Sequence, residues 1–193
     1  MEREALLSGL VQPGGREPAP GSLRVVQAFV NTVDREHGPD LLDDGAGFAE
    51  WLDRNLLPAD GAAGGLAAAR KVREALRSLL LANNGEPDDP RARAVLDAAA
   101  RRARLEATFP PDGAALVSQA DGVDAAIGRI LAAAFAAMLD GSWARLKACR
   151  GELCGWAFYD RSTNASATWC SMSVCGGRAK AGAYYRRRRA AGR

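Results

Sequence analysis

Apolar residues recur with helical spacing over most of the first 140 residues. In the first such stretch, Leu23, Val26, Phe29 and Val33 fall on one side of a helix. The same spacing, bounded by proline, glycine and asparagine, predicts helices over residues 23–34, 48–56, 66–82, 90–108 and 123–139. Residues 114–118 fit a short strand. The pattern predicts a mainly α fold in which a helical N-terminal domain has room for a short strand pair.

Several polar residues of this region have ordinary structural explanations. Asp89 and Pro90 fit the N-cap and first position of a helix. The pair Asp43-Asp44, like Asp88 beside that N-cap, is expected in loops and caps rather than in acid–base catalysis. His37 is the only histidine, and its Gly/Pro-rich surroundings predict a solvent-facing side chain. We therefore expect no catalytic site, and the chain is predicted not to be an enzyme.

Asn31 and Thr32 are polar residues on an otherwise apolar helix. They could line a small effector pocket, but a buried pair that bonds to neighbouring backbone is the favoured interpretation. Arg70 and Arg73 could contact an anion, although ordinary surface charge on a helix is the simpler expectation.

All four cysteines lie near the C-terminus, in two pairs of equal spacing. Cys149 and Cys154 are separated by four residues, as are Cys170 and Cys175, and fifteen residues lie between the pairs. Four thiolates at this spacing suit one tetrahedral, structural zinc ion without an open position. Two disulfides, four free thiols or an iron–sulfur cluster are the alternatives. Residues 1–10 lack the apolar run of a secretory signal, which favours a reducing compartment and therefore the metal.

The fifteen residues between the cysteine pairs predict a β-hairpin. Residues 155–160 are rich in aromatics, residues 161–164 supply turn types, and residues 165–169 return toward the second pair. A turn centred between these two arms places Trp156 opposite Trp169. The second cysteine pair then opens a basic helix, whose first N–H groups, with Lys147, Arg150 and Arg178 nearby, are expected to offset the charge of the thiolates.

Charge is divided unevenly along the chain. Residues 1–140 hold 15 Lys/Arg and 21 Asp/Glu, whereas residues 141–193 hold 11 and 2, so the net charges are −6 and +9. A basic segment attached to an acidic body indicates an anionic partner, and DNA is the leading candidate. The predicted phosphate contacts are Arg161 at the hairpin tip, Arg178, Lys180, Arg186, Arg187, Arg188 and Arg189. Tyr184 and Tyr185 could add stacking or hydrogen bonds, or pack on the hairpin.

The cysteine-rich segment closely resembles the bacterial CGNR zinc finger. The matching residues are Cys154-Gly-Trp-Ala-Phe-Tyr-Asp-Arg-Ser, Trp169-Cys-Ser-Met, Cys175-Gly-Gly-Arg178 and Ala179-Lys180. Gly177 stands where the family motif has Asn, which leaves the metal ligands unchanged. The preceding part resembles the ABATE domain through Ala28-Phe-Val-Asn-Thr32, Trp51-Leu52 and the helix from Arg70 to Leu80. These resemblances imply a stress-linked transcription regulator whose finger binds DNA.

Together, these observations predict an irregular arm (residues 1–20), an ABATE-like helical domain (21–140) and a CGNR-like zinc module of β-hairpin plus basic helix (141–193). We expect a cytoplasmic bacterial DNA-binding regulator with one structural Zn²⁺, no membrane span and, as a possibility, a homodimer. The helical domain would sense an effector or supply dimer contacts. The alternative is a protein-interaction module whose finger docks on an acidic surface, including that of its own helical domain.

Overall fold

The computed structural model describes residues 12–111 and 113–191. Six α-helices lie within these ranges: α1 (Leu23–Val30), α2 (Gly45–Arg54), α3 (Ala62–Ala82), α4 (Pro90–Arg102), α5 (Gly122–Leu139) and α6 (Gly177–Ala191). Four strands form two antiparallel pairs: β1 (Leu105–Thr108) with β2 (Ala115–Ser118), and β3 (Leu146–Ala148) with β4 (Ala157–Tyr159). The mainly α fold with a small four-cysteine module is therefore confirmed.

Helix α3 is the centre of the helical domain. It packs against α1, α2, α4 and α5 and also against strand β3. Its residues Val72, Leu76 and Leu80 are almost completely buried, as the apolar spacing predicts. The same hydrophobic cluster includes Leu146 and Ala157 of the β3–β4 pair. One core therefore supports both the helices and the strands next to the cysteines.

Local sequence signals explain several helix ends. The Asp44 carboxylate accepts a hydrogen bond from Gly47 N at 2.7 Å and caps α2. Asp89 accepts one from Arg91 N at 2.9 Å, with Pro90 at the first position of α4. These caps satisfy backbone N–H groups that the first helical turn leaves unpaired.

The prediction that α4 continues to residue 108 is wrong. The helix ends at Arg102, and Arg104 adopts a left-handed backbone conformation with φ +46°. The Ser118 hydroxyl donates to Ala103 O at 2.7 Å, so the returning strand β2 satisfies a carbonyl at the helix end. Leu105–Thr108 then pairs with Ala115–Ser118, with Leu105 opposite Ser118. A tertiary partner thus overrides the helical preference of this segment.

Helix α5 is apolar on nearly all sides. It is long and apolar enough to cross a membrane by length and composition alone, but 56% of it is buried inside the protein. It packs on α1, α3, α4 and β2, which is the environment of a core helix. Close packing with β2 depends on Gly128, since a Cβ there would lie 2.8 Å from Ser118 Cβ and 2.9 Å from Ala103 Cβ.

The predicted irregular arm is only partly described. Residues 1–11 lie outside the described residues, while Pro13–Gly15 forms one 3₁₀ turn followed by extended chain. Arg16 from this arm donates to Cys170 O at 2.8 Å and Trp169 O at 3.1 Å. The arm therefore contacts the second cysteine pair, far away in sequence.

Candidate metal centre

The first cysteine pair lies in the connection between β3 and β4. Strand β3 ends one residue before Cys149, and Cys149 N donates to Trp156 O at 2.8 Å. In the register of the pair, Leu146 lies opposite Tyr159 and Ala148 opposite Ala157. A hairpin is present, but not the predicted one: β4 pairs with the strand before the cysteines rather than with residues 165–169. Trp156 and Trp169 are consequently not cross-strand partners, because the three-residue strand β3 pairs with β4 where residues 165–169 were expected to pair.

The second cysteine pair leads into helix α6, as predicted. Ser171 caps a short π-helical turn, Met172–Gly176, by accepting from Val174 N at 3.3 Å. Cys175 lies within this turn, and α6 begins at Gly177. The ligand pair and the basic helix are therefore one continuous element.

The four cysteine sulfurs converge on one point. The Sγ atoms of Cys149, Cys154, Cys170 and Cys175 all lie within 4.8 Å of one another. The Cys154–Cys170 and Cys170–Cys175 separations are 3.6 and 3.7 Å. A tetrahedron with Zn–S bonds of about 2.3 Å has S–S edges of about 3.8 Å, whereas a disulfide needs about 2.05 Å.

The site therefore fits one structural zinc ion held by four thiolates. No disulfide joins the four cysteines in the structure, and the Sγ separations of 3.6 and 3.7 Å are much longer than an S–S bond, which argues against the disulfide alternative. A polynuclear iron–sulfur cluster needs space for several atoms between its thiolates, and these sulfurs are too close together. When bound, zinc would supply cross-linking of the two cysteine pairs, and its four protein ligands would leave no open position for catalysis.

The expected charge compensation by three basic side chains is largely wrong. Lys147 is buried with Asp160, and Arg150 pairs with Glu86 at 2.6 Å. Arg178 pairs with Glu36, which raises the pKa of Arg178, and nearby Cys175 and Cys154 raise it further. Gly151 N lies 3.5 Å from Cys149 Sγ as a donor to the cluster. Carboxylates of the module and of the helical domain compete for these basic groups, so only Arg178 acts partly as expected.

Buried polar side chains of the helical domain hold the zinc module in place. Asn31 Oδ1 accepts from Ala157 N at 2.7 Å, and its Nδ2 donates to Ala157 O at 2.9 Å. Asn84 Nδ2 donates to Ala148 O at 2.8 Å and Thr168 O at 2.9 Å. Further donors to backbone carbonyls of the module are Gln27, Arg77 and Asn83. The two cysteine-bearing segments are thus positioned by hydrogen bonds as well as by sulfur ligation.

These contacts confirm the favoured interpretation of Asn31 and Thr32. Asn31 bonds to the backbone of β4, and Thr32 Oγ1 donates to Phe29 O at 2.8 Å. Sequence reasoning missed the roles of Asn84 and Arg77. The only sequence signal for these roles is the presence of a polar residue on the core-facing side of α3 or just after its end.

The expectation of ordinary surface charge is wrong for Arg73. Its side chain is buried, and its guanidinium donates to both carboxylate oxygens of Asp40, at 2.6 and 2.8 Å. It also donates to Thr32 Oγ1 at 3.1 Å. Burial alone raises the pKa of Asp40, but the bonds from Arg73 and Leu42 N more than offset it, so the pKa is lowered. Arg70 does remain at the surface, beside Asp43 at 3.2 Å.

The remaining polar candidates agree with the structural expectations. His37 is half-exposed, and its Nδ1 lies 2.7 Å from Asp34 Oδ2. Asp88 forms an exposed ion pair with Arg93 at 2.9 Å, while Asp44 and Asp89 are helix caps. The absence of catalysis stays a prediction.

A second buried ion pair braces the chain between the cysteine pairs. Lys147 Nζ lies 2.9 Å from Asp160 Oδ2, and both residues are buried. Asp160 also accepts from Ala167 N at 2.8 Å, Ser162 N at 2.9 Å and Ser162 Oγ at 2.6 Å. Burial raises the pKa of Asp160, but these donors prevail and lower the pKa to about 2. Residues 160–167 are therefore fixed without being a strand.

The predicted phosphate contacts fall into two groups. Arg161 does not lie at a hairpin tip: it donates to Pro18 O at 2.9 Å, pairs with Glu17 at 3.3 Å and stacks over Tyr159. Arg178 pairs with Glu36 but keeps 61% of its side chain exposed. The other five, Lys180, Arg186, Arg187, Arg188 and Arg189, are exposed on α6. The structure thus brings six of the seven onto one helix, and their role as phosphate contacts stays a prediction.

The aromatic pair of α6 is also exposed. Tyr184 and Tyr185 have relative exposures of 49% and 66%, and their rings meet edge to face at 5.7 Å. Arg188 lies over the Tyr184 ring at 5.8 Å. The two rings therefore do not pack on the hairpin, which was the alternative to a role in binding.

The fold and site define a helical domain that carries a four-cysteine zinc finger with a terminal basic helix. Comparison with known families gives the same division. The family ABATE, described as "Putative stress-induced transcription regulator", matches residues 23–142, and the chain belongs to this family. The CGNR zinc finger family matches residues 145–188. Both predicted resemblances are confirmed. Among curated proteins, nothing matches.

Proposed function

We propose that this chain is a transcription regulator that binds double-stranded DNA through α6 of the zinc module. The observation that carries the proposal is the composition and exposure of this helix. Over Gly177–Ala191 it contains one Lys and five Arg and no acidic residue. The side chains of Lys180 and Arg186–Arg189 are exposed. A concentrated, uncovered positive surface of this kind suits the phosphates of nucleic acid.

The geometry of α6 sets how many phosphates it can contact. Successive helix residues are rotated by about 100°, so Arg186–Arg189 point in four directions around the axis. A helix placed in the major groove has phosphates on both sides, which suits such a distribution. Together with Arg178 and Lys180, four or five contacts are a reasonable count. Such contacts give affinity and position but do not themselves read base sequence.

The zinc site supports this surface mechanically. The main neighbour of α6 is the π-helical turn Met172–Gly176, which contains Cys175 and begins two residues after Cys170. Ligation of these two cysteines together with Cys149 and Cys154 would connect the start of α6 to the β3–β4 hairpin. The hairpin in turn belongs to the core of the helical domain. We therefore assign the zinc a structural role and assign the chain no catalysis.

Salt dependence of DNA binding tests the proposal. With four or five phosphate contacts, log Kobs should fall against log[salt] with a slope of roughly −4, or about 250-fold between 50 and 200 mM salt. Fluorescence anisotropy with a labelled duplex of mixed sequence and zinc-loaded full-length protein measures this slope. Absence of binding to any duplex at about 50 mM salt would overturn the proposal.

Substitutions in α6 should lower the slope as well as the affinity. Each phosphate-contacting residue replaced by Ala, for example Arg186→Ala or Arg189→Ala, should reduce the slope by about 0.9. Arg91→Ala and Arg101→Ala on α4 are matched controls, because both arginines are exposed on a helix of the acidic domain. The controls should leave both quantities unchanged. Equal loss in both sets would mean that general charge, not α6, is responsible.

A second candidate function is docking on an acidic protein surface. Arg150, Arg161 and Arg178 of the zinc module pair with Glu86, Glu17 and Glu36, so the module already docks on its own acidic body. This docking leaves Arg178 mostly exposed and does not cover Arg186–Arg189. DNA is therefore the better-supported partner, and binding of α6 to an acidic protein without any binding to DNA would reverse that preference.

The proposal leaves effector sensing or dimer contacts to the helical domain. The family match over residues 23–142 supports a regulatory role for this domain. Size-exclusion chromatography with light scattering tests the dimer directly: a mass near 40 kDa supports it, and a mass near the 20.3 kDa of one chain rejects it.

A further inference from the structure

A solvent-open cleft of about 400 Å³ reaches the cysteine cluster. It lies between the loop that carries the first cysteine pair and the first turns of α6. Cys154 and Cys175 contribute to its wall, with Trp169 and Leu153 beside them. Arg150, Arg178 and Arg186 also line it. Small solutes can therefore approach the ligand sulfurs from one side of the site.

The four ligand residues differ in exposure. Cys149, Cys170 and Cys175 have relative exposures of 1%, 3% and 5%. Cys154 alone is partly exposed, and it lines the cleft. Among the four ligand residues, it is therefore the one that a reagent from solvent reaches most readily.

Gly151, which has no side chain, also lines the cleft. A Cβ added at this glycine would lie 3.0 Å from Cys154 Cβ and 3.4 Å from Cys175 Sγ. The same Cβ would lie 3.6 Å from Cys149 Sγ. Because Gly151 lines the cleft, a side chain at this position would narrow the cleft beside the cysteines.

We propose that Cys154 is an oxidation site through which hydrogen peroxide opens the four-sulfur centre. The Cys154 thiolate sulfur attacks one peroxide oxygen, the O–O bond breaks, hydroxide leaves, and a sulfenic acid forms. The Cys170 thiolate, whose Sγ lies 3.6 Å from that of Cys154, then displaces the second hydroxide and forms a disulfide. Two thiolates are oxidised by two electrons in total, and the two hydroxides released take up two protons from the buffer to become two waters.

The disulfide removes two of the four ligands, so the site no longer holds a structural zinc ion. Helix α6 continues directly from the π-helical turn Met172–Gly176, which contains Cys175. Loss of the four-sulfur cross-link therefore loosens the attachment of α6 to the body. This inference concerns the cysteines and the attachment of α6, and it holds whether or not the chain binds DNA.

Zinc release from the full-length, zinc-loaded protein tests the proposal. Hydrogen peroxide is the reagent, a chromophoric chelator reports free zinc, and mass spectrometry maps the cysteines. We expect one zinc released per chain, a rate proportional to peroxide concentration, and a Cys154–Cys170 disulfide as the first product. Limited labelling with iodoacetamide should modify Cys154 before the other three cysteines.

A pair of substitutions on α6 separates access through the cleft from general destabilisation. Ala179 lines the cleft, so Ala179→Leu should fill part of it and slow zinc release several-fold. Ala181 is exposed, is not among the residues that line the cleft, and is rotated by about 200° from Ala179. Ala181→Leu is therefore the matched control and should react at the wild-type rate. Zinc affinity measured beforehand should be the same in both variants.

Three results would overturn the proposal. A release rate independent of peroxide concentration would show that the site opens first and reacts afterwards. Even labelling of the four cysteines would remove the special position of Cys154. Equal rates for Ala179→Leu and wild type would show that the cleft is not the route.

Discussion

The buried Lys147–Asp160 pair gives a sharp test of how the zinc module is built. Asp160 is fully buried, and its two carboxylate oxygens receive four hydrogen-bond donors, one of them the Lys147 ammonium group. In Asp160→Asn, one oxygen becomes an NH₂ group that faces donors, and the buried Lys147 charge loses its partner. The substitution changes almost no volume, so its effect is electrostatic.

Two lines of reasoning give the magnitude. Removal of one partner from a buried ion pair costs about 3–5 kcal/mol of unfolding free energy. Independently, the pKa of Asp160 is about 2 in the folded protein and about 3.9 in an unfolded chain, a difference that corresponds to about 2–3 kcal/mol at neutral pH. Against a total stability of roughly 5–15 kcal/mol, either value is large. We expect a loss of about 3 kcal/mol.

The sign of the pH dependence follows from the lowered pKa. Because the folded pKa lies below the unfolded pKa, the stabilisation is fully present above about pH 5 and disappears as the pH falls toward the folded value of about 2. The difference in stability between wild type and Asp160→Asn should therefore be constant near neutrality and shrink in acid. Acid titration of the zinc thiolates occurs in both proteins and cancels in this difference.

Urea unfolding followed by far-UV circular dichroism, in excess zinc at pH 7, measures the effect. Asp53→Asn is the control, because Asp53 is exposed on α2 and no ion pair is seen for it among the described residues. Adding Lys147→Met to Asp160→Asn should recover part of the loss, since the unpaired charge is removed. A loss below about 1 kcal/mol, similar to that of the control, would refute this reasoning.

Two further predictions concern packing of the helical domain. Asn84→Ala leaves Ala148 O and Thr168 O without the Asn84 donor, so thermal unfolding should show a loss of about 1–3 kcal/mol in stability. Gln119→Ala, at an exposed position, is the control and should be neutral. Equal effects of the two substitutions would contradict the bridging role of Asn84. Gly128→Ala forces a Cβ into Ser118 and Ala103 and should destabilise the protein by about 1–3 kcal/mol. Gly64→Ala places its Cβ in open space on α3 and should stabilise the protein slightly. A change in stability of the same sign for both variants would contradict the close approach of α5 and β2 at Gly128.

Local signals accounted for much of the fold. Helical periodicity located the five helices of the helical domain, and the Asp89-Pro90 pair marked the start of α4. The spacing of the cysteines predicted their convergence, because two short-spaced pairs are a frequent arrangement around zinc. Each of these signals lies within a few residues of the feature that it predicts.

The missed features depend on partners that are distant in sequence. Strand β3 has only three residues, too few for alternation to show, so the hairpin was assigned to the wrong segment. The end of α4 is set by Ser118 from a later strand. The sequence predicts Arg161 as a phosphate contact at a hairpin tip, yet Glu17 and Pro18 of the arm contact its side chain. None of these contacts leaves a periodic signature in the sequence.

The central claim is that four cysteine sulfurs share one zinc ion and thereby fix the basic helix α6 to the body. X-ray absorption at the zinc edge of the purified full-length protein measures the coordination directly. The structure predicts one zinc per chain with four sulfur neighbours at about 2.3 Å. A shell that contains nitrogen or oxygen in place of any of the four sulfurs, or a protein that binds no zinc, would contradict the account.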